Sequence, residues 1–408
     1  MVVPDLRRSL RRVKLQLLRR WLMGIRNVEE AIWDRWVALG RRRIPHHQID
    51  DDPELADIGP LTRDFYFRIA QGVESGVTAE GEDARDRILA KLVEREGDDL
   101  EPRAARVTTA FLAGAPHLDR SQDRDKRILA VILQEVWGEA FQAYTGAAYA
   151  SYEVGTGWAS APSGTRPAVW NSLLDLHARA CRVVSEIQTL QQAGLPSGAE
   201  ARARSLHELA VVASVLQKSD AELTDRYRAY EAIEQYDDAM KFNEHCDMLG
   251  RAPIPDDELA ELKSRSDSAA DQWKNIRGSN GWASSILKNP SFKELEKYAT
   301  LDHLYPFYRL GNHSVHAGPR ASTLQRIQID GVPHRSPGAT VHGNFAETAH
   351  GALISLQQIN AALLAERVSA GPDVDSLVAI MAIGGLVDVA GDRFSTAAQA
   401  ARDRGWVY

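Results

Sequence analysis

The stretch AVWNSLLDLHARACRVVSEIQTLQQAGLPSGAEARARSLHELAVVASVLQ, residues 168–217, decides the fold. A helical pattern over 168–193 stops at Gly194-Leu195-Pro196, a glycine stop with a proline just beyond it. A second helical pattern fills 198–217. A connection that short makes the two helices antiparallel neighbours.

Helical patterns continue on both sides of this pair. Downstream they fall at 220–249, closed by Gly250 and the prolines 253 and 255, then at 256–277, 303–317, 345–368 and 373–403. Upstream they fall at 61–75, 82–96, 101–113 and 126–153. In the last of these Ile128, Val131, Ile132, Val136, Ala140, Tyr144 and Ala148 hold one face. Gly155 to Pro167, dense in Gly, Ser and Pro, is the clearest boundary. The one strand-like piece is Arg326–Ile329. No repeat at a period of 20–50 residues is visible. The expected class is all-α, a helical bundle with an N-terminal helical extension. The expected divisions are a basic amphipathic helical arm over 1–45, an N-terminal helical domain over 61–154 and a C-terminal helical bundle over 168–408.

Composition fits this reading. The chain has 408 residues, 44% hydrophobic and 26% charged, so it is globular and able to bury a large core. Its two cysteines, Cys181 and Cys246, are too few for a disulfide scaffold and point to a reducing, cytoplasmic setting. The longest apolar run, Leu377 to Val387, is bounded by Asp375 and Asp388. It is too short for a membrane span and is expected to be a buried helix. Net charge is −7, unevenly spread. Residues 1–45 hold twelve Lys or Arg against four Asp or Glu, a net of +8, which leaves −7 − 8 = −15 for the rest. A basic amphipathic helix packed on the body, or one bound to a polyanion, would account for the arm.

Three constellations could carry chemistry. In Arg309-Leu310-Gly311-Asn312-His313-Ser314-Val315-His316, a helix would set Arg309 on one face with His316, and His313 one turn on from Arg309. A permanently charged guanidinium beside imidazole suits phosphodiester chemistry: the first holds the phosphate, the second moves a proton. Asn312 would assist, with Ser314 and Glu186 orienting. The alternative is a set of hydrogen-bonded interior histidines with Arg309 in an ion pair. The second constellation is Glu186 with Arg204, His207 and Glu208. Glu186 and Arg204 stand about equally far from the turn and are expected to meet, as a structural pair or as part of a substrate-binding set. The third is metal: Glu347-x-x-His350 and His313-x-x-His316 have one-turn spacing, and Glu186, Glu208, His316 and His350 would be the ligands. The pattern of a two-metal bundle requires Glu-x-x-His twice, so no metal and no cofactor are expected. Trp137, Tyr144, Tyr149 and Tyr152 form an aromatic stripe read as core or interface.

Two resemblances follow from these residues. The Arg309…His316 spacing resembles the Arg-x4–6-His signature of HEPN-type helical ribonucleases. It departs from the usual pattern at Leu310, where a polar residue is common. That resemblance implies a metal-independent endoribonuclease acting as a homodimer on RNA, in a bacterial toxin or phage-defence role. The stretch from about 170 to 365 resembles domain-of-unknown-function family number 5677. The resemblance rests on Arg179–Leu190 with Ser185-Glu186-Ile187, on Gly194–Ala210 with Arg204-Ser205-Leu206-His207-Glu208-Leu209, and on Tyr308-Arg309 followed by Ser314-Val315-His316-Ala317. It implies no activity, but it implies that Glu186, Arg204, Glu208, Arg309, Ser314 and His316 share one site or one core. The competing functional class is a non-catalytic helical interaction module.

Overall fold

The computed structural model describes residues 123, 126–160, 166–320, 338–369, 371 and 373–405, and the backbone of 326–329 and 332–335. The basic arm 1–45, the linker 44–60 and the helical patterns over 61–113 lie outside the described residues. The protein is an all-α bundle. Its helices are α1 (126–159), α2 (Pro167–Gln192), α3 (Pro196–Lys218), α4 (Ala221–His245), α5 (Asp256–Gln272), α6 (Phe292–Ala299), α7 (Tyr305–Val315), α8 (Phe345–Val368) and α9 (Val374–Asp403), with short 3-10 turns at Gly281–Ser285 and Asp302–Leu304.

The deciding turn forms as its residues dictate. Gly194 takes φ +71°, its N–H donates to Gln191 O and the Leu195 N–H donates back to Leu190 O, the two bonds of a Schellman stop. A β-carbon at Gly194 would fall 2.9 Å from Thr340 O, so the position excludes a side chain as well as favouring a left-handed backbone. Pro196 then opens α3, where a missing N–H costs nothing. The result is an antiparallel pair, α2 and α3, with α8 packed against both; α9 covers α8, α7 and α6 lie on α3, and α4 pairs with α5.

The compact unit runs from Lys126 to Tyr408. The sequence places 126–153 at the end of an upstream domain; in the structure α1 is part of the bundle's own core. Trp137 stacks on Phe345 at 5.1 Å, Phe394 meets Phe141 and Tyr144 edge-on, and Tyr144 donates to Val184 O. The buried face of α1 is Leu133, Trp137, Ala140, Phe141, Tyr144 and Ala147, while Ile128 and Val131 are exposed. The helix also runs through the expected boundary at Gly155 to residue 159, because the absence of a side chain at Gly155 lets the His177 ring of α2 lie against it. Of the aromatic stripe, Trp137 and Tyr144 are core and Tyr149 and Tyr152 are exposed.

The run Leu377–Val387 is buried on one side only. In α9, Ile380, Ile383, Val387, Ala390 and Phe394 face the core, whereas Val374, Leu377, Val378, Met381 and Val389 are exposed. By length and composition α9 alone among the described helices is apolar enough to cross a membrane, with 33% of its most apolar window buried in the bundle. The strand-like piece Arg326–Ile329 (β1) pairs antiparallel with Val332–Arg335 (β2), Arg326 opposite Arg335. This hairpin is the sole departure from helix and 3-10 turn among the described elements.

Candidate functional site

The site is built where α7 crosses α3. Closeness at the crossing comes from Gly311: a β-carbon there would lie 2.9 Å from Arg204 Cβ and 3.0 Å from Glu200 O. Arg204, on the crossed face of α3, meets Tyr308 of α7. Its Nη2 donates to the Tyr308 hydroxyl at 2.9 Å and stands 3.0 Å from Glu208 Oε1, and the Tyr308 hydroxyl donates to the same Glu208 oxygen at 3.2 Å. The guanidinium also lies 4.9 Å from the centre of the Tyr308 ring. Arg204, Glu208 and Tyr308 thus close on one another. At the far end of α7, the Ser314 hydroxyl donates to a Glu200 carboxylate oxygen.

Beneath this lies a buried pair. His207 Nε2 sits 2.8 Å from Glu296 Oε1, and the two side chains are 5% and 0% exposed. Burial pushes Glu296 up to about 7, with Asp302 adding and Lys293 opposing; burial pushes His207 down to about 4, with His303 adding. Burial opposes both charged forms, so below neutral pH the pair favours a protonated carboxyl beside an unprotonated ring. Glu296 Oε2 has no partner. His207 also packs its ring against Phe292 and Tyr308, so the pair anchors α6 and α7 to α3.

The expected site residues separate into three groups. Arg204 and Glu208 meet Tyr308 near the start of α7, Ser314 meets Glu200 at its far end, and His207 lies beneath, sealed from solvent. Glu186 is elsewhere: its partner is Arg202, at 2.5 Å, not Arg204. The reason is the pivot of the α2–α3 turn. It falls at Gly194, so residue 186 is matched by residue 202. Two residues further on, about 200° around the helix, Arg204 faces α7 instead. The third group is Arg309, His313 and His316. Arg309 is exposed and His313 half-buried, one turn apart on α7. His316 is exposed but no longer helical: α7 ends at Val315 and His316 has extended backbone, φ −103° and ψ 138°. The two-turn argument that put it on a face with Arg309 therefore fails, and the relation holds for His313. None of these three side chains makes a hydrogen bond or ion pair with a described residue. Asn312, between them, is half-buried with its Oδ1 unpartnered.

The four-ligand metal set does not assemble. Glu186 is held by Arg202, Glu208 by Arg204 and Tyr308, and His350 lies against Gly391 of α9. Among the described residues, no group of three or more His, Cys, Asp or Glu is placed to hold a metal ion.

Glu296, Glu200 and Tyr308 are the site residues that residue patterns alone did not single out. Glu296 lies in α6, an eight-residue helix in a stretch with no helical pattern noted, and only its Ser291-x-x-Glu294 cap signals it. Glu200 sits one turn before Arg204, a spacing too common to stand out.

The model of a family of unknown function (DUF5677) matches residues 171–331. No curated protein and no solved structure matches the chain. The matched segment begins within α2 and contains α3, the Arg204–Glu208–Tyr308 cluster, the His207–Glu296 pair and all of α7.

Proposed function

We propose that the chain is a HEPN-like, metal-independent endoribonuclease whose phosphate clamp is Arg309 and whose proton carriers are His313 and His316. The observation that carries this reading is the contrast between the two sides of α7. Inward, Tyr308 and Ser314 are engaged with Arg204, Glu208 and Glu200. Arg309 is exposed on α7, His313 is half-buried one turn on, and His316 is exposed just past the helix end; none of the three has a partner among the described residues, which leaves them available to a polyanion. A neutral imidazole accepts the proton of a ribose 2′-hydroxyl as O2′ bonds to phosphorus. The P–O5′ bond breaks, and the leaving oxygen takes a proton from the second ring, which enters the step as imidazolium. Arg309 neutralises charge on the phosphoryl oxygens as it builds. Arg204, His207 and Glu208 hold α7 rather than touch RNA, and the cytoplasm and a homodimer are the proposed setting and state.

The test is purified protein with total RNA in EDTA, beside His316→Ala and Arg309→Ala. Cleavage to 2′,3′-cyclic phosphate and 5′-hydroxyl ends is expected from the wild type, reduced by roughly 10²–10⁴-fold in the His316 variant with Tm unchanged. RNA of equal integrity in all tubes removes the proposal. A second reading, a helical interaction module, is favoured by one observation: the exposed apolar side of α9, from Val374 to Val389. Under it both variants lack any activity to lose and the α9 face governs self-association.

A further inference from the structure

A trough of ≈ 810 Å³ runs between α1 and α2. The two helices are antiparallel: Gln188 donates to the Thr145 hydroxyl at 2.6 Å near one end, and the His177 ring lies against Gly155 toward the other. From Thr145 to Ala159, at 1.5 Å per residue, the trough is about 21 Å long. Small residues keep it open: Ala148, Gly155 and Ala159 from α1, with Ala178 and Ser185 from α2. Its two rims differ. On α1, Tyr149 and Tyr152 are 62% and 52% exposed, their rings 6.4 Å apart. On α2, Asn171, Asp175, Ala178, Arg182 and Ser185 recur at helical spacing and form one outward ridge, all five exposed. Asp175 and Arg182 carry opposite charges two turns apart on that ridge. Neither makes a hydrogen bond or ion pair with a described residue. Arg179 stands about 100° round the helix from Ala178. It lies on the flank toward Tyr227 of α4, which feels its charge more than that of Asp175.

We propose that a second copy of the chain docks on this face about a two-fold axis beside Ala178, the α2 ridge of each copy lying in the α1–α2 trough of the other. Charge selects both the occupant and the register. When two α2 helices run antiparallel with their centre between positions 178 and 179, position 175 of one stands level with position 182 of the other. Asp175 then meets the second copy's Arg182, and the symmetry supplies that pair twice. Ala178 at the crossing lets the two backbones approach, as a large side chain there would not. The Thr145–Gln188 contact fixes how α1 runs beside α2, so Tyr149 and Tyr152 fall level with positions 173 to 176 of the second copy. Leu174, half-buried in one copy, gains cover there, and exposed tyrosines are the side chains that interfaces favour. A polyanion suits the trough less well, because Asp175 shares the ridge with Arg182. The inference deepens the homodimer of the nuclease reading and rests on that reading only for the count of two. The interface stands on α1 and α2, whereas α7, with Arg309, rests on α3.

The experiment is sedimentation equilibrium of the full chain across micromolar concentrations at low ionic strength. A species of twice 45.1 kDa is expected from the wild type. Asp175→Arg alone, or Arg182→Asp alone, sets like charges against each other at both symmetric contacts and should weaken the dimer roughly tenfold or more. Both positions are exposed, so Tm of the single variants at monomer concentrations should match the wild type. The decisive step is mixing. Asp175→Arg with Arg182→Asp in equal amounts makes both cross-pairs complementary again, and a heterodimer of wild-type strength should form from two chains that are monomeric apart. The two changes in one chain should likewise restore the homodimer. A wild type of 45.1 kDa at every concentration overturns the proposal. So does a dimer that either single reversal leaves unchanged, or a mixture that stays monomeric. Mass is read without RNA, so a dimer that does not cleave and a nuclease that does not dimerise are told apart.

Discussion

Glu296 and His207 exchange a proton as the chain folds. In the unfolded chain, with ordinary values of 4.5 and 6.5, a pair at mild acidity carries its one proton on the imidazole. In the fold the carboxyl titrates near 7 and the imidazole near 4, so the proton sits on Glu296. The signs oppose. The raised Glu296 contributes stability that is complete below pH 4.5 and lost as pH climbs through 7. The lowered His207 contributes stability that is complete above pH 6.5 and lost as pH drops through 4. Between about pH 4.5 and 6.5 the two slopes cancel, because both states hold one proton on the pair. We therefore expect the pair's contribution to be level across that window and to fall away on either side. Glu296→Gln keeps a neutral donor for the His207 ring, so it should remove the decline above pH 6.5 and expose the His207 slope below it. Comparing Tm against pH for the two proteins checks this; identical profiles would show that the pair is not coupled to folding.

At the scale of the element, α9 and α6 show what patterns disclose and what they conceal. The glycine stop at 194 and the proline after it are written in residue types, and the α2–α3 turn forms as they require. The partner of Glu186 is not so written, because it depends on which residue of a three-residue turn is the pivot, and moving the pivot by one shifts the matched position by two residues, about 200° round its helix. α6 is shorter than two and a half turns and too brief for a period to establish itself, so Glu296 stayed hidden with it. In α9 an apolar run was legible, but which side of it would be covered was not: burial depends on how α8 folds back on it and on α1, contributed from far along the chain. The two sides should respond differently. Phe394→Ala, at 0% exposure among Trp137, Phe141 and Tyr144, is expected to cost about 3–5 kcal/mol. Met381→Lys, at 77% exposure, should change stability by no more than about 0.5 kcal/mol while reducing any concentration-dependent association. Denaturant titration and sedimentation of both variants measure the difference.

Across the whole molecule, one residue gathers three helices. Arg166, just before α2, donates from Nη1 to Ser219 O at 2.6 Å and from Nη2 to Gln217 O at 3.1 Å, both at the end of α3. It also forks onto the Glu366 carboxylate near the end of α8. Those carbonyls belong to a helix terminus that would otherwise go unsatisfied. Glu366 is 0% exposed, so the ion pair is its compensation. Replacing Arg166 with alanine strands a buried charge, and the loss should be of order 3–5 kcal/mol. Arg166→Ala together with Glu366→Gln should recover a large part of it. A double-mutant cycle by denaturant unfolding decides the matter, and a single-variant loss below about 1 kcal/mol, the scale of a surface pair, would demote the clasp to decoration. The same scale explains why α1 escaped assignment to the bundle. Its aromatic partners, Phe345 and Phe394, lie two hundred residues or more downstream, beyond the reach of any local pattern.

The bare backbone at Gly311 has a mechanical corollary. It is a fulcrum without clearance: even a methyl group there must pry α7 away from the helix beneath it. Arg309 precedes that pivot by two positions and His313 follows it by two, so tilting would carry the pair as the two arms of a seesaw. The interval between guanidinium and imidazole would survive the tilt, and the direction in which they jointly point would not.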